Sequence, residues 1–466
     1  MPPRKDRATA ADDVARLPIG PDEADHLFRN FADFRHVAVA VSGGCDSVAL
    51  MALAGAWSKR RGGPRLSVLT VDHGLRPESS AEAVTVAGWA GRFGLGHATL
   101  VWADPKPLQG IQDAARRARY GLLANWCRAH GADAVALAHT LEDQAETVVM
   151  RLARGSGVDG LSGMSAMSQL DGIAILRPLL GLRKARLRAT LESLGQAWIE
   201  DPSNIDRRFE RVRVRHALAV LEELGVSAEA IGRSADRLGS VRAALDEATA
   251  RAMADGVTCF DAGFVSVDLE RFAAADGEVG TRLLAQCLRA VGGRDYPPGP
   301  EALARLDRHL RAGEGRSWTL GGCAIRRRGD KALICRETGR RAPMPAQVGR
   351  GAAAVWDGRF RIAVAGDRPD GLVVRALDAA GWALAVERDR RRRSLPAYLG
   401  RSLVSLWNGD RLVCVPHLEP SPDGPIEAEF VGRGLPAGVR RQRLIDAGVT
   451  ANLPARPIIA ATIEDV

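Results

Sequence analysis

Several short stretches of this chain concentrate residues able to do chemistry on a phosphate or an amine. The first is Ser42-Gly43-Gly44-Cys45-Asp46-Ser47. Gly43 and Gly44 let the backbone approach an anion closely, and Ser42 and Ser47 add hydroxyl donors. A helix follows directly, so free backbone N–H groups and the positive end of a helix dipole converge on the same point. Asp46 repels phosphate unless a divalent cation lies between them, so it reads as a Mg²⁺-linked carboxylate. In a second stretch, Asp72-His73-Gly74-Leu75-Arg76 offers an imidazole and a guanidinium to a nucleotide, with Gly74 permitting a tight turn. A third runs from His139 to Glu146. Thr140 caps a helix there, and Asp143 and Glu146, spaced i, i+3, share one face. Two carboxylates on one face near a helix start suit either a cation or an ammonium group. Glu142 points elsewhere. Arg116 and Arg119 share a face of the helix before it and suit a polyphosphate. Beyond the Asp201-Pro202 turn come Arg207, Arg208, Arg211, Arg213 and Arg215, an arginine density that suits an RNA backbone.

These residues need a frame, and the hydrophobic pattern supplies one. Val37–Val41 is an apolar, β-branched run of strand length. It is followed by the glycine turn and by helix formers from Val48 to Trp57. Further strands are predicted at Leu66–Asp72, Ala98–Trp102, Ala134–Ala138 and Ile173–Leu179. Helices are predicted at Ser79–Phe93, Ile111–His130, Leu141–Leu152 and Arg183–Leu194. Repeated strand–helix units predict an α/β domain with a parallel, doubly wound sheet. Ligands of such sheets bind beyond the carboxyl ends of the strands. The Ser42–Ser47, Asp72–Arg76 and His139–Glu146 segments and the loop after Leu179 all fall there.

S-G-G-x-D-S after a β-branched strand is neither a Walker A motif nor a dinucleotide fingerprint. It resembles the loop of the N-type ATP pyrophosphatases (the PP-loop superfamily), which adenylate a carbonyl and release pyrophosphate. The segments VDHGLRPESS, AARRARY, AHTLEDQAETVVMRLARGSGVDGLSGM, ILRPLL and WIEDPSN follow in that order. Together they resemble the tRNA(Ile)-lysidine synthetase family, closely over residues 37–216 and more weakly beyond. The resemblance implies an ATP-dependent ligase that uses ATP and Mg²⁺. Its substrates are L-lysine and tRNA(Ile) with a CAU anticodon. ATP adenylates the C2 carbonyl oxygen of the wobble cytidine, and the lysine ε-amine then displaces AMP, so that AUA is read instead of AUG.

On this resemblance Asp46, Asp143, Glu146 and Arg116 are the expected catalytic residues. Ser42, Gly43, Gly44, Cys45, Asp46, Ser47, His73 and His139 are expected to bind ATP, with Asp46 linked to the metal. Asp143 and Glu146 are expected at lysine, and Arg207, Arg208, Arg211, Arg213 and Arg215 at tRNA. The family usually has asparagine where this chain has Val212. The chemistry is coherent: an amide-like carbonyl is a poor electrophile until adenylation gives it a leaving group, and a carboxylate can take the proton from the attacking amine.

The chain has 466 residues, 46% of them hydrophobic, with 65 Lys and Arg against 56 Asp and Glu, a formal charge of +9. That balance permits a polyanionic partner without requiring one. Seven scattered cysteines with no C-x-x-C argue against a disulfide framework or a zinc ribbon. No apolar run reaches membrane-spanning length, and the charged N-terminus lacks the apolar core of a signal peptide, so a cytoplasmic protein is expected. The expected organisation is a catalytic domain over 1–215, a mainly helical tRNA-binding domain over 216–340, and a small C-terminal α+β domain over 341–466. The run Arg388–Arg393 is a further candidate RNA contact. Oligomeric state stays open, a homodimer included. Two other readings stay open as well. One is a PP-loop tRNA thiolase, kept alive by Cys45 and opposed by the missing C-x-x-C. The other is a non-catalytic RNA-binding protein, opposed by the intact set Ser42, Asp46, Asp143 and Glu146.

Overall fold

Alternation along the first strand decides the architecture of the N-terminal half. In the computed structural model, which describes residues 17–107, 110–170, 172–200, 210–339, 342–349, 351, 353–365, 371–419 and 426–444, β1 is His36–Ala40. Val37 and Val39 point to one side of the sheet and Ala38 to the other, and all three are fully buried. A strand buried on both faces needs a helical layer on each. On one side Val48, Leu50, Met51 and Trp57 of the helix Cys45–Arg61 pack with Leu187 and Leu191 of the helix Lys184–Ser193. On the other, Leu123, Ala124 and Cys127 of the helix Ile111–His130 pack on Ala38, Leu69, Val135 and Ile175.

Strands β2 (Arg65–Asp72), β3 (Gly96–Val101), β4 (Ala134–Ala136), β5 (Met167–Leu170) and β6 (Ile173–Leu176) complete the sheet in the order β3-β2-β1-β4-β6-β5. All pairings are parallel except β5 with β6. The sheet is thus the predicted parallel one with an added antiparallel edge. The order reverses at β1, so the loop after β1 opens at a topological switch point beside the loop after β4. Helix ends follow local rules: Gly62 and Gly131 adopt φ near +63° and donate N–H groups back to the carbonyls of Ser58 and Cys127.

Contacts group the chain into two compact units, Met1–Arg242 and Ala243–Val466. The first extends past the expected boundary at 215/216, which falls inside the helix Glu210–Glu223. Ala145 and Val148 pack against Ile231 and Ala235, which holds the following helical residues in this unit.

The second unit is built on a six-stranded sheet. Its strand order is Arg440–Gln442, Val257–Phe260, Phe264–Asp268, Lys331–Arg336, Cys323–Arg328 and Ser317–Leu320. The helices Gly277–Gly292 and Pro300–Ala312 cover it. A four-stranded and a three-stranded antiparallel sheet follow. The expected boundary at 340/341 is not a break in packing. One apolar cluster joins Phe272, Leu288 and Ile334 to Trp356, Phe360 and Val439, because strands of three to six residues bury too little surface alone. No helix among the described residues is long and apolar enough to cross a membrane.

Candidate active site

Gly44 caps the helix Cys45–Arg61 in extended conformation. The Ser47 hydroxyl donates to the Gly44 carbonyl at 2.9 Å and accepts the Ser42 N–H at 3.2 Å, which closes the Ser42–Ser47 loop on itself. Gly43 sits at φ +90°, and a Cβ there would lie 2.8 Å from Ile199 Cδ1. The Ile199 N–H also donates to the Gly43 carbonyl at 2.9 Å, so Ile199 props the loop through both its side chain and its backbone. Gly44 keeps its open side. Burial pushes the Cys45 thiol up to about 11, so at neutral pH it is not a thiolate nucleophile.

Asp46 lies in the first turn of that helix. Across from it stands the helix Leu141–Ala153, whose start is fixed by a capping box. The Thr140 N–H donates to Asp143 Oδ2 at 2.9 Å, and the Asp143 N–H donates to Thr140 Oγ1 at 3.4 Å. Oδ2 of Asp143 is therefore engaged, and Oδ1 faces Lys184. The Lys184 Nζ lies 3.2 Å from Asp143 Oδ1 and 3.3 Å from Asp46 Oδ2. Burial would lower the Lys184 ammonium, but Asp143, Asp46 and Glu146 more than offset it and hold it above its ordinary value. For Asp143, burial is likewise outweighed, by Lys184, the Thr140 N–H and His139, leaving it below the usual range. Asp46 is pushed up by burial, which Lys184 only partly offsets and which Asp143 reinforces. The Lys184 main chain is pinned as well: its N–H reaches both carboxylate oxygens of Glu142 at 3.1 Å.

Glu146 is 1% exposed. Its Oε1 accepts from Arg215 Nε at 2.9 Å, whereas its Oε2 has no hydrogen-bond partner among the described residues. A buried carboxylate oxygen without a donor is costly, which marks it as a place for a ligand's N–H. Gln144, two residues earlier, clamps a neighbouring loop through two bonds to the Met164 backbone, at 2.9 and 2.7 Å.

His73 and His139 are both lowered to about 4, chiefly by burial, and are neutral at pH 7. Neither His73 nitrogen, nor His139 Nδ1, has a partner among the described residues. Asp72 holds the loop after β2 by accepting from the Gly74 N–H at 2.8 Å and from the Ser79 and Ser80 hydroxyls at 2.6 and 2.8 Å. Arg76 pairs with Glu82 at 3.2 Å. Arg116 lies over the Tyr120 ring at 5.3 Å. Arg116, Arg119 and Arg211 have no carboxylate partner among the described residues, and Arg116 and Arg211 both act on Arg119 and His139 through their charge.

Of the residues expected from sequence, Asp46 and Asp143 meet at one ammonium, and Glu146 stands one turn on. The lysine that joins the first two was not singled out, although the loop after Leu179 that leads to it was. Arg207 and Arg208 lie outside the described residues. Arg211 and Arg213 are exposed, on different faces of the helix Glu210–Glu223. Arg215 is tied to Glu146. Val212 is 6% exposed and packs inward, so an apolar residue serves at this position.

A family described as a PP-loop domain matches residues 21–222. The chain is 41% identical over 403 residues to the tRNA(Ile)-lysidine synthase of Ruegeria pomeroyi, covering 86% of this chain and 93% of that protein. It is 45% identical over 311 residues to the tRNA(Ile)-lysidine synthase of a Bradyrhizobium species, covering 63% of this chain and 86% of the other. To the tRNA(Ile)-lysidine synthase of Wolbachia pipientis it is 35% identical over 362 residues, covering 76% and 84%.

Proposed function

The chain belongs to the tRNA(Ile)-lysidine synthase family, and from that premise we propose that it joins the ε-amine of L-lysine to C2 of the wobble cytidine of a CAU anticodon, consuming ATP. One observation carries the assignment of residues. Asp46, from the phosphate-type loop, and Asp143, from the acidic helix, bind the same ammonium, so loop and acidic helix form a single site.

In the first half-reaction the cytosine O2 attacks the α-phosphorus and pyrophosphate leaves with the electron pair of the broken bond. The Ser42–Ser47 backbone and the helix behind it hold the polyphosphate. Arg116, Arg119 and Arg211 add positive charge near its path. Among the described residues no cluster of three or more metal-ligating side chains exists. Mg²⁺ does not need one: it takes one or two carboxylates and completes its shell with phosphate oxygens and water. Asp46 and Asp143, already gathered round a cation, fit that habit. When bound, the ion supplies charge neutralisation to the departing pyrophosphate.

In the second half-reaction the amine attacks C2 and AMP leaves. The amine must be neutral to attack and arrives as an ammonium. Both Asp143 oxygens are engaged by this chain, whereas Glu146 Oε2 is buried with no partner among the described residues. Glu146 therefore receives the ε-ammonium and takes its proton, and Asp143 orients it.

The test follows adenylated tRNA and lysidine separately in a single turnover. Glu146→Gln is expected to slow the second step by roughly ten- to a hundred-fold, the worth of a charge-assisted bond of about 1.5–3 kcal/mol, whereas Asp143→Asn is expected to slow both steps, because Asp143 also holds Lys184. In Glu146→Gln the adenylated intermediate accumulates. Equal loss of adenylation in Glu146→Gln moves Glu146 to the nucleotide and overturns the lysine assignment.

A further inference from the structure

Lys184 is the first residue of its helix, and its position is determined at both ends. At the root, its N–H bonds to both Glu142 oxygens at 3.1 Å, and the neighbouring Leu182 carbonyl accepts the Leu141 N–H at 3.0 Å. These bonds stitch the Lys184 helix to the helix that carries Asp143 and Glu146. At the tip, two carboxylates hold the ammonium at 3.2 and 3.3 Å. Both distances exceed the 2.7–2.9 Å or so of a tight ammonium–carboxylate bond. An ammonium has three donors, and two are directed at these carboxylates. The side chain is 34% exposed, so a ligand can reach it from solvent. Asp46, its partner, stands in the first turn of the helix whose N-terminus backs the glycine loop. The ammonium is therefore one carboxylate away from any polyphosphate seated on that loop.

We propose that Lys184 is a catalytic residue of the adenylation half-reaction, its ammonium meeting the negative charge that gathers on pyrophosphate as it leaves, a role that rests on the reading of Ser42–Ser47 as the polyphosphate seat. The cytosine O2–phosphorus bond forms, the bond from the α-phosphorus to the bridging oxygen breaks, and its electron pair goes to pyrophosphate. Lys184 transfers no proton. Asp46 and Asp143 hold the ammonium in place before ATP arrives, so its charge is oriented at no cost during reaction. That is the arrangement in which a fixed donor contributes most.

The experiment compares the wild-type full chain with Lys184→Met and Lys184→Arg. Four quantities are read: single-turnover formation of adenylated tRNA, equilibrium ATP binding by calorimetry, the KM for lysine, and the melting temperature. Lys184→Met is expected to slow adenylation by roughly 100- to 1,000-fold, as when one donor aimed at developing charge is removed. ATP binding changes far less than the rate, the KM for lysine is unchanged, and Lys184→Arg recovers most of the rate. Three results with the Lys184 variants overturn the proposal. Adenylation at the wild-type rate in Lys184→Met is one. Another is a lowered KM for lysine with adenylation intact, which makes Lys184 a competitor of the substrate. The third is a drop in melting temperature with both half-reactions lost and no recovery by arginine, which makes it structural. Gly43→Val reports on the seat separately: its Cβ collides with Ile199 and its φ is strained. If ATP binding survives that change, the seat itself is misplaced and the role of Lys184 falls with it.

Discussion

Each unit of the molecule gathers ions into a cluster at least partly buried, and the two clusters are built on different terms. In the second unit Asp357, at φ +52°, accepts from Arg336 at 3.0 and 3.3 Å and from Arg359 at 2.7 Å. Arg359 is 1% exposed, and its guanidinium lies 5.0 Å from the Phe360 ring centre. One Arg359 nitrogen lacks a partner among the described residues, but it is sealed off. In the first unit the carboxylates of Asp46 and Asp143 share a single ammonium, and one Glu146 oxygen has no partner among the described residues. The first arrangement fixes the turn between the strands Ala353–Trp356 and Phe360–Val364. The second leaves a buried acceptor that a ligand's N–H would satisfy. Burial and charge are common to both, so neither alone marks a functional site. The open acceptor does.

The sharpest way to break this contrast is to remove one acid from each cluster. Asp46→Ala is expected to abolish adenylation, a loss of roughly 10³-fold or more if a metal link worth several kcal/mol disappears, while the protein stays folded. Pyrophosphate release near the wild-type rate in that variant would remove the distinction. Asp357→Ala is expected to do the converse. It leaves two guanidiniums in a buried position without their carboxylate, which costs about 3–5 kcal/mol. The check is chemical denaturation alongside ATP binding. A stability loss below about 1 kcal/mol, the range of surface pairs, would make the second cluster no more structural than an exposed ion pair.

How much of this was legible in the sequence depended on the range of the interaction. The strand–loop–helix of Val37–Ser47 was readable because a β-branched run, two glycines and a helix former lie side by side. The cap at Thr140 and the shared face of Asp143 and Glu146 were readable because each involves a spacing of three. Lys184 was not, because its partners Asp46 and Asp143 come from elsewhere in the chain and only the parallel sheet brings them together. The edge strand Met167–Leu170 was missed for want of an apolar signal: its residues are alternately exposed and half-buried. In the second unit Arg440–Gln442 pairs with Val257–Phe260, a match that no local pattern announces. The run Arg388–Arg393 read as free charge. Yet Arg388 and Arg392 both pair with Glu419, and they also donate to the Leu412 and Ala385 carbonyls at 2.7 and 3.0 Å. Charge density is visible in sequence, and its partners are not.

The smallest expected effect separates two arginines that look alike in sequence. Arg211 and Arg215 are four residues apart and share a helical face. Arg215 is engaged with the buried Glu146 at 2.9 Å, and Arg211 is exposed with no carboxylate partner among the described residues. A guanidinium bound to a protein carboxylate releases few counterions when RNA arrives, whereas a free one that meets a phosphate releases about one. Arg211→Gln is therefore expected to weaken tRNA binding and flatten the plot of log affinity against log salt by roughly 0.7–0.9. Arg215→Gln is expected to leave that slope nearly unchanged and to slow the lysine step instead, because Glu146 loses the cation that holds it. Titrations of both variants at several salt concentrations, with single-turnover assays beside them, read the two effects independently. If both substitutions flatten the slope equally, Arg215 leaves Glu146 for the RNA in the complex, and the acceptor offered to lysine then has two free oxygens instead of one.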